Sequence, residues 1–289
     1  MLFPIGIIVV FASVIVGYKM HAGDLSLLWQ PNEIVIIVGA GIGSVLIANP
    51  ISIIVKSIKS LSYLFKGKPY DKNNYLELLL FSFNVFKLMK IKGMLEIESH
   101  IENSDDSDLF TQATSINKDS KVKDFIKDHL RLLTMGVDNV YQFEDMIDRE
   151  LEVYADDSIA PTKVFSTLAD ALPALGIVAA VLGVMVTMRS IMEPPEVLGS
   201  LIAAALVGTF TGVLLSYGLV GPIASFLIRY SDYEIKYLEC IKAGFIAYLN
   251  NNPPIIIVEF MRKNVPEDYR PTFQELDSFI SNNSMKIMN

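Results

Sequence analysis

Four stretches of the chain are almost wholly apolar: about Leu2–Met20, Ile34–Val55, Ala171–Met188 and Val197–Ile228. As helices each is long enough to cross the roughly 30 Å hydrocarbon core of a bilayer, which takes about 20 residues. A short polar connection, His21 to Glu33, joins the first pair and carries Trp29 where an interfacial aromatic would sit. Glu193-Pro194-Pro195-Glu196 joins the second pair in a turn through which neither helix can continue. The pattern therefore predicts two helical hairpins.

Between the hairpins the pattern changes to amphipathic helices. Tyr75–Glu102 and Ser120–Met135 set Leu and Phe against Lys and Glu at helical spacing, and Val140–Tyr154 is strongly acidic. The Asn103–Asp108 stretch reads as a loop, and the segment after the fourth apolar stretch continues helically to about Asn250 before breaking at Asn250–Pro254. No strand-like alternation of useful length appears. The expected fold is all-α, a polytopic membrane protein with four transmembrane helices and a helical cytoplasmic domain. The expected divisions are a first transmembrane hairpin over 1–55, a cytoplasmic helical domain over 56–168, a second hairpin over 169–228 and a cytoplasmic helical region over 229–289.

Orientation comes from the basic residues. Lys56, Lys59, Lys66, Lys68 and Lys72 crowd the exit of the second apolar stretch, and Arg229, Lys236 and Lys242 follow the fourth. Basic residues favour the cytoplasmic side, so both termini and the middle segment are expected there.

Composition excludes several classes. Hydrophobic residues make up 52% of the chain and charged ones only 19%, which places most of it in lipid. A net charge of −8 lacks the basic surface that nucleic acid requires. Cys240 is the single cysteine and the three histidines are scattered, so neither a disulfide framework, a metal site nor a catalytic constellation is expected, and no cofactor. The run Gly39-Ala40-Gly41-Ile42-Gly43 has Ser44 where a dinucleotide fingerprint needs glycine, and helix packing explains it better.

The third and fourth stretches each carry a face of small residues: Pro173, Gly176, Ala180, Gly183 and Thr187 on one, Ala204, Gly208, Gly212 and Ser216 on the other. Such faces either pack helices together or line a narrow hydratable crevice, to which Thr187 and Thr209 would offer hydroxyls. Pro173 and Pro222 each remove a backbone hydrogen bond and can act as hinges, although Pro173 also suits the first turn of a helix capped near Asp170. No Asp, Glu, Lys or Arg falls in the interior of the four apolar cores, Lys19, Asp170 and Arg189 standing at their ends. Intramembrane ion carriers are usually ionisable, so if this chain conducts, a partner supplies the carrying group.

These residues together resemble one family. Ile34–Gly43, Asp170–Val181, Val207-Gly208-Thr209-Phe210 with Tyr217-Gly218 and Pro222, and the tail segments Pro253-Pro254-Ile255, Val258-Glu259-Phe260 and Arg270-Pro271-Thr272-Phe273 are similar to the flagellar stator A subunit, the MotA family. The resemblance implies a homopentameric ring of A subunits around single-span B subunits whose membrane aspartate carries the ion, in a bacterial inner membrane. It implies that Pro173 and Pro222 couple protonation to movement, that Thr209 and Ala180 border the ion path, and that Asp170 serves its cytoplasmic end. It implies too that Glu98 and Lys90 face the rotor protein FliG, with lysine where many members have arginine; lysine keeps the charge and loses the bidentate fork. Sodium-driven relatives tend to carry threonine where this chain has Ala180, which favours protons here. The other mechanical reading is an ExbB/TolQ-like envelope energiser, disfavoured by four spans rather than three.

Overall fold

The computed structural model describes residues 2–284, and among them every regular element is helical. In chain order these are α1 (Phe3–Met20), α2 (Pro31–Ala48), α3 (Ile51–Ser60), α4 (Tyr63–Lys66), α5 (Lys72–Lys92), α6 (Met94–Glu102), α7 (Asp108–Gln112), α8 (Thr114–Lys118) and α9 (Ser120–Thr134). They continue as α10 (Val140–Arg189), α11 (Pro195–Leu215), α12 (Gly221–Leu249), α13 (Pro254–Asn264) and α14 (Phe273–Asn283). A five-residue π turn, Ser216–Val220, joins α11 to α12. Four helical stretches among the described residues are long and apolar enough to span a membrane: Phe3–Met20, Leu25–Ala48, and parts of Val140–Arg189 and Pro195–Leu249.

The chain divides into two compact units, with boundaries between α4 and α5, inside α10 and inside α12. The first comprises the residues up to Gly67 and Asp157–Ser231; the second comprises Lys68–Asp156 and the residues from Asp232 onward.

In the first unit the buried apolar core is small, with Ile37, Leu172 and Ala179 fully packed and Ile36, Leu168, Leu175, Leu215 and Val220 beside them. Many of its other large apolar side chains face outward, among them Ile47, Val178, Val186 and Leu206. An outward apolar surface of this extent is what a helix bundle immersed in lipid presents. The second apolar stretch does not run as one helix to Val55. Asn49 takes an extended conformation before Pro50, because the proline ring excludes the helical region for the residue preceding it, and the chain restarts as α3.

The third apolar stretch belongs to a helix far longer than the pattern predicts, since α10 runs unbroken through Pro161 and Pro173. Pro173 therefore stands deep inside a helix. The alternative that Asp170 caps a helix starting at Pro173 does not hold.

The second unit has a conventional core in which Tyr75, Leu78, Leu79, Phe110, Phe143 and Tyr237 are almost fully buried. Cys240 lies within it, its thiol directed at the Met261 carbonyl 3.2 Å away and pushed up in pKa by burial. The amphipathic stretch predicted as one helix over 75–102 is two, because Gly93 adopts φ +84°, ψ −177°, a conformation essentially reserved for glycine, and α5 ends there. The tail motif has a structural account. Glu259 holds Arg262 through two 2.6 Å hydrogen bonds, Arg262 donates to the Pro271 carbonyl at 2.9 Å, and Thr272 caps α14 in a reciprocal box with Glu275. Lys72 on α5 then pairs with Glu275 at 2.8 Å, and with the Thr272 backbone N–H it holds that carboxyl at a pKa of about 2.

His129 is wholly buried in this unit; its Nδ1 donates to the Phe125 carbonyl at 2.7 Å. Nε2 lies 3.4 Å from a Glu150 oxygen but makes no hydrogen bond. Burial lowers the histidine's pKa, with Glu150 and Asp128 acting in the opposite direction. The folded state thus favours neutral imidazole. Its contribution is intact above the unfolded value of about 6.5 and is lost as pH falls below it, with a slope of at most about 1.4 kcal/mol per pH unit. Thermal unfolding of the purified chain should shift downward between about pH 7 and pH 5. His129→Gln should flatten that shift; an unchanged pH dependence would assign it to other groups.

Candidate functional site: a glycine seam with two proline breaks

Helices α10 and α11 meet backbone to backbone. A methyl group built on Gly212 would lie 2.6 Å from the Leu172 carbonyl oxygen and 2.9 Å from the Gly176 Cα. One on Gly176 would lie 2.8 Å from the Gly208 carbonyl oxygen and 3.3 Å from the Thr209 Cα. Farther along, Gly183 abuts Ala205 in the same way, at 2.8 Å from its Cβ. Only glycine permits this approach, because any Cβ would overlap main-chain atoms that cannot swing aside. The two small-residue faces thus face each other, with Ala205 rather than Ala204 opposite Gly183.

The seam brings together Ala180 and Thr209, the residues expected to border an ion path. A methyl on Gly208 would sit 3.1 Å from the Ala180 nitrogen, and Thr209 follows it directly; Ala180 and Thr209 are both half-buried. Thr187 is buried and its hydroxyl donates to the Gly183 carbonyl at 3.0 Å, so it closes on its own helix rather than opening to a crevice. Asp170 is exposed on α10.

One hydrogen bond links the segments that precede the two prolines. Pro173 has no N–H to offer the carbonyl four residues earlier, that of Ala169, and the Ser216 hydroxyl donates to that oxygen instead at 2.6 Å. Ser216 in turn opens the π turn that precedes Pro222, and the Gly221 N–H donates to its carbonyl, one residue wider than α-helical spacing. The wider turn is how the helix admits Pro222 in its path. Each proline thus leaves a gap in the main-chain hydrogen bonding while the helical path continues, and the Ser216–Ala169 bond joins the two regions.

Glu33 is the functional candidate that the sequence reading misses. Placed by pattern in the polar connection, it stands instead in the first turn of α2, which begins at Pro31, and is only 8% exposed. Its carboxyl lies in the seam: methyl groups on Gly208 and Gly183 would lie 2.7 Å from Oε2 and 3.3 Å from Oε1. Oε2 is buried without a hydrogen-bond partner. Glu33 lies just outside the apolar core Ile34–Val55 read from the pattern, yet its carboxyl reaches in between α10 and α11. The signal was available in Pro31, a preferred first residue of a helix, with an acid in the first turn.

Lys90 and Glu98 are both exposed on the second unit, at the end of α5 and on α6, either side of the Gly93 break. Lys90 also donates to the Asn251 carbonyl at 3.3 Å.

Among the described residues, an all-helical chain with four apolar helices long enough to cross a membrane, two of them closing through glycine, defines a helix bundle of the membrane type. Residues 4–93 match the motility protein A N-terminal family, and residues 117–240 match the MotA/TolQ/ExbB proton channel family. Motility protein A of Escherichia coli K12 is 39% identical over 280 residues, covering 97% of this chain and 95% of that protein. The chemotaxis protein LafT of Vibrio parahaemolyticus is 30% identical, covering 96% and 97%. The flagellar MotAB stator complex from Bacillus subtilis superposes with a TM-score of 0.73 at 28% identity over 91% of this chain and 94% of that one. Campylobacter jejuni MotAB gives a TM-score of 0.76 at 17% identity, covering 93% and 97%. The chain belongs to the motility protein A family.

Proposed function

We infer that the chain is the A-type stator subunit of a flagellar motor, which conducts protons with a B-type partner and turns their flow into torque. The observation that carries this reading is the seam itself. Gly176, Gly208 and Gly212 bring α10 and α11 into backbone contact, and Pro173 on α10 and Pro222 on α12 each remove a main-chain donor, the Ser216 hydroxyl serving the Ala169 carbonyl that Pro173 leaves. Near-full-length similarity to motility protein A supports it. The proton-channel description is shared with TolQ and ExbB, but the match over 4–93 is to motility protein A alone, so the envelope-energiser reading is the weaker one.

In this reading the four apolar stretches cross the inner membrane with both termini in the cytoplasm. Copies of the chain form a pentameric ring around a MotB-like partner whose membrane aspartate carries the proton. Ala180 and Thr209 border the path, Asp170 serves its cytoplasmic end, and protonation of the partner shifts the helices at Pro173 and Pro222. The lipid bilayer is the solvent for the outward apolar side chains. No cofactor or metal is needed.

Lys90 and Glu98 face the rotor protein FliG. Charge sign governs such a solvated contact more than fork geometry does. Reversing either charge should cost about 1 kcal/mol of contact energy or less, and reversing both should cost more. Torque measured on tethered cells checks this, and no loss from the double reversal would move the rotor contact elsewhere.

The stator reading is tested by deleting this gene and any second stator set, then restoring this gene with its neighbouring B-type partner. Flagella should assemble but stand still after deletion, and turn only when both proteins return. Rotation indifferent to the pair would return the assignment to an envelope energiser. Speed that follows external sodium at constant proton-motive force would overturn the proton assignment based on Ala180.

A further inference from the structure

Glu33 has no role in the mechanism above, yet it is the one acid that α2 sends into the seam between α10 and α11. Three observations converge on it. The residue is more than nine-tenths buried, its Oε2 has no hydrogen-bond partner, and its carboxyl occupies a notch that exists because residues 183 and 208 lack a Cβ. A methyl group on Gly208 would meet both the carboxyl, at 2.7 Å, and the Ala180 backbone nitrogen, at 3.1 Å. The group therefore stands within one residue's width of the path assigned to Ala180 and Thr209.

A buried carboxylate without a partner is costly, and in membrane helices such a group is kept for ion movement far more often than for packing. Titratable groups on the surrounding elements of this unit are Asp24 ahead of the 3-10 turn at Leu25–Leu28, Asp157, Lys163, Asp170 and Arg189 on α10, and Glu196 on α11. Among the described residues none forms an ion pair with Glu33 and its Oε2 accepts no hydrogen bond, and binding a proton would neutralise the buried charge.

We propose that Glu33 is a proton-binding carboxyl that this subunit itself places on the ion path, in addition to the partner's aspartate. The carboxylate takes a proton from water at the mouth of the seam and releases it along the seam, so each passage leaves the group as it began. This rests on the stator reading, and it differs from a packing role in one respect. A wedge needs the volume of the side chain, whereas a relay needs its titration.

The test uses membrane vesicles holding the full chain with its B-type partner, with proton uptake followed by a pH-sensitive dye. Glu33→Gln preserves the shape of the side chain and removes the titration. It should retain the partner on purification and lower proton conductance by about 10²-fold, as loss of a positioned proton-transfer group does. Glu33→Asp should keep conducting with a shifted pH profile. Infrared difference spectra of the wild-type complex, titrated with acid, should show a carboxyl band absent from Glu33→Gln.

Wild-type conductance in Glu33→Gln, with loss only in Glu33→Ala, would make the residue a wedge and overturn the proposal. If Glu33→Gln does not hold its partner, Glu33→Asp decides: an unchanged pH profile and unchanged carboxyl band would overturn it equally. Should the wild-type complex carry no protons at all, the stator reading fails. In that case the presence or absence of the Glu33 band still decides whether the group binds a proton.

Discussion

Gly212→Val is expected to leave flagella assembled and motionless. The methyl group of alanine at this position would already lie 2.6 Å from the Leu172 carbonyl oxygen and 3.1 Å from the Gly176 nitrogen. These are main-chain atoms of a continuous helix and no rotamer change relieves the overlap, so α10 and α11 must separate. Overpacking of a well-fitted interior costs about 1–3 kcal/mol for a small addition, and valine adds two further methyl groups at the tightest point of the seam. Separation at Gly212 also moves Gly176 away from Gly208, and with it Thr209 and Ala180. Tethered-cell rotation and recovery of the B-type partner on purification are the measurements. Gly199→Ala, on the same helix with nothing within 4 Å, is the matched control and should rotate normally. Normal rotation of Gly212→Val would mean that the seam opens freely, and the close approach would have no part in function.

How far the sequence carries this picture depends on the kind of signal each feature leaves. Apolar runs and small-residue spacing are properties of single segments, and from them the four long helices, the two facing glycine faces and both prolines are legible. Features that depend on where two segments meet are not. Ser216 reads as one more small residue on a face, and nothing local says that its hydroxyl replaces the N–H missing at Pro173 on another helix. Glu33 is hidden for a different reason. It lies in a polar connection by composition, and only the helix start at Pro31 turns it inward. Boundaries suffer where the pattern is locally ambiguous. The acidic amphipathic stretch after Val140 and the apolar stretch after Ala171 have different character, yet the helix passes through both, because Pro161 costs it only the one bond to the carbonyl of Asp157 four residues back. The opposite error occurs at Gly93, where one amphipathic pattern spans a break that a single left-handed residue makes.

Pro173→Ala and Ser216→Ala should each reduce torque, and their effects on stability should not add. In the wild-type chain the Ala169 carbonyl is denied its helical donor by the proline and receives the Ser216 hydroxyl at 2.6 Å, in a buried setting. Removing that hydroxyl leaves a buried acceptor without it, at a cost of about 1–3 kcal/mol. Pro173→Ala returns an N–H at residue 173 in line with the same carbonyl, so the helix closes its own bond and the serine becomes dispensable. The double variant should therefore be about as stable as Pro173→Ala, with an interaction energy of about 1 kcal/mol or more between the two sites. Torque behaves differently, because a closed α10 loses the break that lets it move against α11. Pro173→Ala should assemble with its partner and turn slowly at high load, and adding Ser216→Ala should not rescue it. Thermal unfolding of the four purified complexes and torque of the four strains provide the cycle. Additive stabilities would separate the hydroxyl from the proline, whereas full torque in Pro173→Ala would remove the break at Pro173 from the working stroke.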